Sequence, residues 1–554
     1  MERSAFLVII VFSIGIILRF YNLGEVPVSL HRDEAFLGYN AYSILKTGKD
    51  MSGNFLPIHL ESFFFSPAGY SYFSIPFIAL FGLSQFSIRF ASALFGSLNI
   101  LLIFFIVLNL FAKNKNKYVI GLFSSFIFAI SPWHINLSRV AVESTIVLFF
   151  ISLGILLYLK YIKENKIHLL VLSFIYFAVT FLVYQAPRAF LPLFIPFLAI
   201  SLSGVRKIVK DKYQILLFLV LIIGPVLFIV FSPDLSLRIQ SLSIFSHPET
   251  QLIINEQRTQ DYISGVPTII SRLFHNKAEG YSLSFLSNYF KHFSFDFLFL
   301  DGGFPDRFRI PRTGLIYIFE LPLILIALFM LYKKEIKNGI FLSGWILISF
   351  VGSALTFDDI PNLQRAFIAI PAFSIFSGYG IFSFIEVFNS KKIYKKIVLG
   401  IISTIIIYSF SYYMIQYYVQ GKIYRPWYRQ GGYRVLVSQV NDLLPNYDKA
   451  VITNRESAPT IFFLFYSKYD PSLFQEETKN VDMRKSDHVS FSKYEFSEEE
   501  CPLRIDKQTK KSTGVNGVLY VNSSLCGKNI PEAKLISSVK RVDNSEAFYI
   551  MRVD

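Results

Sequence analysis

The chain has 554 residues, 53% of them hydrophobic, 17% aromatic and 17% charged, with a mean hydropathy of +0.46. That is too apolar for an ordinary soluble enzyme and places most of the chain in a bilayer. The formal charge of +15 does not mark a nucleic-acid binder, because Lys and Arg lie in short clusters between apolar runs and form no single stripe, while two cysteines exclude a disulfide scaffold.

From the N-terminus, Ala5 to Phe20 has the apolar core of a signal peptide. No small-residue cleavage site follows, and Arg19 leads straight into Tyr21 and Asn22, so it reads as a retained first span. Crossing about 30 Å of hydrocarbon takes roughly 20 mostly apolar residues, and about eleven segments approach that length. They lie at 5–22, 86–111, 118–133, 144–160, 167–184, 187–204, 213–231, 313–332, 338–355, 365–387 and 397–418. Basic clusters follow every second span: Lys113, Lys115 and Lys117; Lys160, Lys163 and Lys166; Arg206, Lys207, Lys210 and Lys212; Lys333, Lys334 and Lys337; Lys391, Lys392, Lys395 and Lys396. Short cytoplasmic loops retain Lys and Arg, so the N-terminus is expected in the cytoplasm of a multi-pass plasma-membrane protein. Ser66 to Leu83 breaks this alternation if it spans, and reads as a re-entrant or interfacial helix. The loops 23–85 and 232–312 and everything after Tyr418 are then extracytoplasmic.

After about Gln420 charges become frequent and apolar runs shorten to strand length, as in Ala450 to Thr453, Val518 to Val521 and Phe548 to Val553. Two domains are expected: a membrane domain over 1–419 and a soluble one, α/β or mostly β, over 420–554. Cys501 and Cys526 both fall in the second, where the compartment tolerates a disulfide; two free thiols are the alternative. The aromatic stretches Phe63 to Phe65 and Phe290 to Leu300 read either as an interfacial belt or as a groove for a polyprenyl chain.

The segment His31-Arg32-Asp33-Glu34-Ala35 puts adjacent carboxylates about ten residues beyond the first span, where they are either solvated or functional. The order that follows is Ser66-Pro67 opening an aromatic helix, Phe81-Gly82, Arg89-Phe90, Ser131-Pro132-Trp133, Ser138-Arg139, Glu143, and Tyr184 to Pro192. With the acidic pair, it resembles the GT-C glycosyltransferases, and among them the protein O-mannosyltransferases and the aminoarabinose transferases of lipid A. The likeness covers roughly the first 210 residues. His275-Asn276-Lys277, Asn288 to Gly303 and Arg309 to Gly314 resemble bacterial members. Many relatives have two prolines where this chain has Ser66-Pro67.

The resemblance implies an all-α polytopic membrane domain of about 11 to 13 spans with a small extracytoplasmic domain. It also implies transfer of a sugar from a polyprenyl-phosphate carrier to an extracytoplasmic acceptor, with inversion. The phosphate is already a stable leaving group, so one carboxylate that takes the acceptor proton suffices, and glycosidase-type carboxylate spacing is not required. By match to the family motif Asp33 is the base, while Glu34 holds the acceptor, supports the fold or exchanges roles with it. His59 and Glu61 are candidates for the sugar phosphate or for a divalent cation shared with Asp33. Glu143, Tyr184 and His275 are further donor, acceptor or metal candidates. The departing phosphate calls for cations in a low-dielectric setting, and Arg139, Arg188, Lys277, Arg309 and Arg365 are placed for that, with snorkelling to lipid headgroups as the bland alternative for each. A transporter of lipid-linked sugar is disfavoured by spans nearly free of carboxylates and by the lack of a repeat. A transferase of whole glycans from a lipid diphosphate is the second rival.

Overall fold

The computed structural model describes residues 2–62, 65–205, 211–232, 240–388 and 392–553; Phe63, Phe64, Arg206, Lys207, Lys210 and Lys391, named above, lie outside them. In chain order the first half contains α1 (Glu2–Phe20), α2 (Arg32–Thr47), β1 (His59–Glu61), β2 (Phe65–Pro67), α3 (Gly69–Phe81), α4 (Gln85–Leu110), α5 (Lys117–Ile130), α6 (Pro132–Ser138), α7 (Glu143–Glu164), α8 (Ile167–Val179), α9 (Pro187–Ser203) and α10 (Lys212–Phe231). There follow α11 (Pro248–Ile263), α12 (Thr268–Phe274), α13 (Lys277–Lys291), α14 (Glu320–Lys334), α15 (Ile336–Ser349), α16 (Ile370–Val387) and α17 (Lys392–Ile415). The last part holds α18 (Tyr433–Leu443), β3 (Lys449–Thr453), α19 (Pro459–Ser467), α20 (Pro471–Glu477), β4 (Tyr494–Ser497), β5 (Val518–Ser523), β6 (Ala533–Lys540) and β7 (Glu546–Val553).

Each apolar segment expected to span coincides with a helix. Among the described residues six are long and apolar enough to cross a bilayer alone, or seven if α5 and α6, bent by 57° at their junction, count as one. Phe6–Phe20, Ile167–Leu182 and Pro187–Ser203 are apolar but shorter, and so is Gly69–Phe81. At 13 residues α3 reaches only about 20 Å, too little for a crossing, as its interfacial reading requires. The segment expected from 313 becomes helical only at Glu320, because the residues before it form turns around an arginine held by two aspartates.

The chain divides into two compact units. The first comprises the residues up to Leu18, Phe95–Leu137 and Ser144–Tyr413. Its centre is the helix Phe367–Val387, 89% buried, whereas Lys212–Phe231 and Ile393–Ile423 are only 17% and 6% buried and leave their apolar faces to lipid. Close approach to the central helix depends on glycine. A Cβ on Gly378 would run into the backbone nitrogen and hydroxyl of Ser124, and one on Gly380 into the carbonyl of Leu323. Small residues at such crossings let helices pack where hydrophobic burial supplies no drive between them. Trp133 and Trp345 donate their indole N–H to the carbonyls of Leu363 (2.8 Å) and Ile368 (2.9 Å), fixing the entry to the same helix.

The second unit gathers Arg19–Leu94, Ser138–Glu143 and the residues from Met414 onward. Its sheet runs β4-β3-β5-β7-β6, with β4, β3 and β5 parallel and β7 antiparallel to both its neighbours. Every side chain of β5 is buried, and Leu503, Val518, Tyr520, Ile530, Tyr549 and Met551 form the core on one side. Cys501 and Cys526 are joined as a disulfide. The first outer loop folds as part of this unit. Gln475 Nε2 donates to Ser43 Oγ (3.0 Å) and to the carbonyl of Asp50 (2.8 Å), Tyr39 donates to the carbonyl of Tyr469 (3.1 Å), and Gln85 donates to Tyr466 (2.9 Å).

Overpacking a tight helix crossing costs about 1–3 kcal/mol. Gly378→Val is therefore expected to lower the thermal unfolding midpoint of the purified protein, whereas Gly400→Val, at a glycine with nothing within 4 Å, leaves it unchanged.

Candidate active site

The acidic pair begins α2, and the helix end decides what each carboxylate can do. His31 is the N-cap: its Nδ1 accepts from the backbone N–H of Asp33 (3.2 Å), while the Glu34 carboxylate accepts from the backbone N–H of His31 (3.2 Å). This reciprocal capping box satisfies two donors that a helix start leaves open. It commits Glu34 to the helix.

Glu34 is 1% exposed and faces Arg89, which is fully buried in α4 and is the one charged residue between Ser66 and Leu110. Arg89 Nε donates to Glu34 Oε1 at 2.9 Å and Nη2 to Oε2 at 3.3 Å; its remaining donors go to the carbonyls of Leu23 (3.3 Å), Pro27 (2.9 Å) and Ser29 (2.8 Å). The backbone N–H of Ala141 adds a bond to Glu34 Oε1 at 2.8 Å. Burial by itself would raise the Glu34 pKa, but the charges of Arg89 and Arg429 and these hydrogen bonds hold it down at about 2. Both Glu34 oxygens are thus engaged as acceptors, and the carboxylate is held in its charged form. The sequence singled out Arg89 only as part of a motif, yet a lone charge inside an apolar run already demands a buried partner.

Asp33 is placed differently. Its side chain is 18% exposed, with His31 Nδ1 3.4 Å from one oxygen and Arg32 Nε 3.7 Å from the other. Arg32 is itself anchored: its backbone N–H donates to Gln430 Oε1 (2.9 Å) and its guanidinium to Ser457 Oγ (2.6 Å). Gln430 and Ser457 had no role in the sequence reading, because polar residues 398 and 425 positions from Arg32 carry no local signal of proximity.

The other candidates of this unit each have partners within the protein. Glu143 accepts from Ser66 Oγ at 3.2 Å. On β1, His59 is 9% exposed and stacks on Phe65 at 4.4 Å, and Glu61 pairs with Arg484. Among the described residues no three His, Cys, Asp or Glu side chains converge as a metal-binding set. Arg139 is engaged within the protein. It is fully buried, donates to the carbonyls of Tyr21 (2.7 Å) and Val26 (3.0 Å) and to Tyr417 (3.2 Å), and stacks on Tyr417 and Tyr418.

In the first unit, Arg188, Arg365 and Tyr184 line one cavity of about 360 Å³ whose remaining wall is largely apolar, with Ala189, Val226, Val230 and Leu355 among its residues. Arg188 is 7% exposed; Arg365 is steadied by Thr356 Oγ1 (2.7 Å) and Asp358 Oδ1 (2.9 Å). Lys277 lines an adjoining groove that shares Phe245 and Leu355 with the cavity. Arg309 and His275 are elsewhere and engaged: Arg309 with Asp301 (2.9 Å) and Asp306 (3.1 Å), His275 with Asp261 (2.6 Å). Reasoning from sequence also missed His292. Its Nε2 accepts from the backbone N–H of Asn362 (3.2 Å), so Nδ1 carries the proton donated to the carbonyl of Asn288 (2.8 Å), and burial lowers its pKa to about 4.

Comparison with known proteins agrees with this architecture. Residues 66–233 match the family described as dolichyl-phosphate-mannose-protein mannosyltransferase. The crystal structure of ArnT from Cupriavidus metallidurans bound to undecaprenyl phosphate superposes with a TM-score of 0.53 at 13% identity, covering 98% of this chain and 97% of that one. Its apo form gives 0.54 at 11% identity over 99% and 98%. The oligosaccharyltransferase AglB from Archaeoglobus fulgidus, in complex with an inhibitory peptide and a dolichol-phosphate, gives 0.50 at 15% identity over 84% of this chain and 63% of that one. No curated protein sequence matches the chain. At these identities the likeness is one of fold, the GT-C fold.

Removing one partner of a buried ion pair leaves the other uncompensated, at about 3–5 kcal/mol. Glu34→Ala and Arg89→Ala should each lower the thermal midpoint sharply, and the double variant should lose less than the sum. Because the Glu34 pKa is depressed, its stabilisation is present above pH 4.5 and declines as the pH falls toward about 2. Unfolding followed across that window should show the loss in the parent and not in Glu34→Ala.

Proposed function

We propose that this chain, a membrane glycosyltransferase by its GT-C fold and family match, moves one sugar from a polyprenyl-phosphate carrier to an extracytoplasmic acceptor. The carrying observation is the cavity lined by Arg188 and Arg365, two guanidiniums set in an otherwise largely apolar wall. An isoprenoid phosphate has that same composition, one anionic head on an apolar tail. Guanidinium groups bind phosphate oxygens in a planar fork and act most strongly where water is excluded.

Asp33 is the base. It takes the proton of the acceptor hydroxyl as that oxygen attacks the anomeric carbon; the bond from that carbon to the carrier phosphate breaks, and its electron pair leaves with the phosphate. One displacement inverts the anomeric centre. Glu34 takes no part in the proton transfer; it holds the turn that presents Asp33. The basic clusters support a placement of the acid-bearing loop on the side of the membrane away from the cytoplasm.

Asp33→Asn is expected to lower turnover about 10²- to 10⁴-fold while binding of a polyprenyl-phosphate sugar stays unchanged; full activity would remove Asp33 from the mechanism. Loss of a charge-assisted bond costs about 1.5–3 kcal/mol, so Arg188→Ala and Arg365→Ala should each raise the KM for the lipid donor roughly 10- to 100-fold. An unchanged donor KM in both would exclude the cavity as the phosphate site.

A further inference from the structure

We infer that the helical hairpin formed by residues 248–291 lies in the plane of the membrane and buries its uncharged tip, Tyr262 to Ser271, among the acyl chains of the leaflet where the span Ile336–Ala354 ends. The inference is independent of the chemistry at Asp33. It starts from the course of α13. Lys277, Tyr281 and Phe285 recur at helical spacing on one face of α13 and line a groove with Leu355, while Asn288, near the other end, donates to the carbonyls of Ala354 (3.4 Å) and Thr356 (3.0 Å). Asn288 thus fixes one end of α13 at residues 354–356 while its other end borders a groove that Leu355 also lines, and the helix runs across the end of the span instead of along it.

Its depth follows from Tyr289, whose hydroxyl donates to the carbonyl of Leu347 (2.8 Å). Leu347 lies about 10 Å back along the span from Ala354, at a rise of 1.5 Å per residue. Leu347 and Phe290 are themselves 48% and 63% exposed, as side chains facing lipid are. The hairpin thus meets the span at hydrocarbon depth.

The tip is what such a position requires. From Tyr262 to Ser271 there is no charged residue, and Tyr262, Ile263 and Ile269 are 82%, 77% and 83% exposed, followed by Leu273 at 66%. Charges flank it: exposed Arg272 follows the tip directly, His275 pairs with Asp261 (2.6 Å), and Arg258 donates to the carbonyl of His275 (2.7 Å). An exposed apolar projection of this kind marks a lipid or protein contact. The occupant is lipid, because the projection extends from a helix seated on a lipid-facing flank of the span. Helices with one apolar face held in the interfacial plane bind bilayers in this manner.

The test uses the full-length protein in vesicles of phosphatidylcholine and phosphatidylglycerol. Cys501 and Cys526 are bonded to each other, so Ile269→Cys, Ile263→Cys and Glu256→Cys can each be labelled singly with an environment-sensitive dye. Labels at 269 and 263 should emit to the blue, be quenched by lipids carrying a nitroxide on the acyl chain and be shielded from an aqueous quencher, with the reverse at 256. Labels at 269 and 263 as open to the aqueous quencher as the one at 256 would overturn the inference. So would shielding from both quenchers, which would mean that protein covers the tip.

Discussion

A single buried ion pair governs the second unit. Glu34 and Arg89 are both withdrawn from water, a condition that is costly for either charge alone and tolerable only when every lone pair and N–H finds a partner. Here they do. The guanidinium binds both carboxylate oxygens and three carbonyls of the turn Leu23 to Ser29, and the carboxylate also accepts from the backbone of Ala141 and His31. Four stretches of chain, the 23–29 turn, the start of α2, the start of α4 and the 138–143 link, are fixed by one interaction. Little else could set the first turn of α2 so closely, since a helix end on its own frays.

The same economy separates the arginines. Arg139 and Arg188 occupy equivalent places in the sequence, each near the end of an apolar segment. Arg139 gives its donors to backbone carbonyls and lies on two tyrosines, so it serves as an internal brace. Arg188 lines a cavity that holds one further cation, Arg365, tethered by Asp358. One guanidinium is spent on backbone carbonyls, and the other borders a largely apolar cavity. Residue type and hydropathy are blind to this difference.

Much of the architecture was legible because it is written in local pattern. Apolar segments of helical length gave the spans, and short apolar runs such as Val518 to Val521 gave the buried strands, since burial on both faces leaves a continuous hydrophobic signature. Strand β6 escaped because AKLISSVK is an edge, half-exposed and interrupted by register shifts, so no alternation marks it. The merging of the first outer loop with the C-terminal segment escaped for another reason. It rests on side-chain bonds such as Gln475 to Ser43 and Gln85 to Tyr466, which link residues hundreds of positions apart and leave no trace in periodicity. The acidic pair was found by motif, but its division of labour needed coordinates.

That division follows from helix geometry. Successive residues on an α-helix point about 100° apart, so two adjacent carboxylates on one helix cannot share an environment. Once Arg89 draws Glu34 inward, Asp33 must face another way, toward the partly open side where Arg32 and His31 stand. An Asp-Glu pair at a helix N-terminus is therefore a compact way to combine a buried anchor with a more exposed carboxylate. The buried acid fixes the rotation of the helix, and that rotation presents the neighbouring acid. The longer Glu reaches back to the N-cap backbone as a capping box requires, and the shorter Asp stays close to the helix and loses less freedom when it is positioned. Reversing the order would put the short side chain where reach is needed, so the capping box depends on Asp preceding Glu.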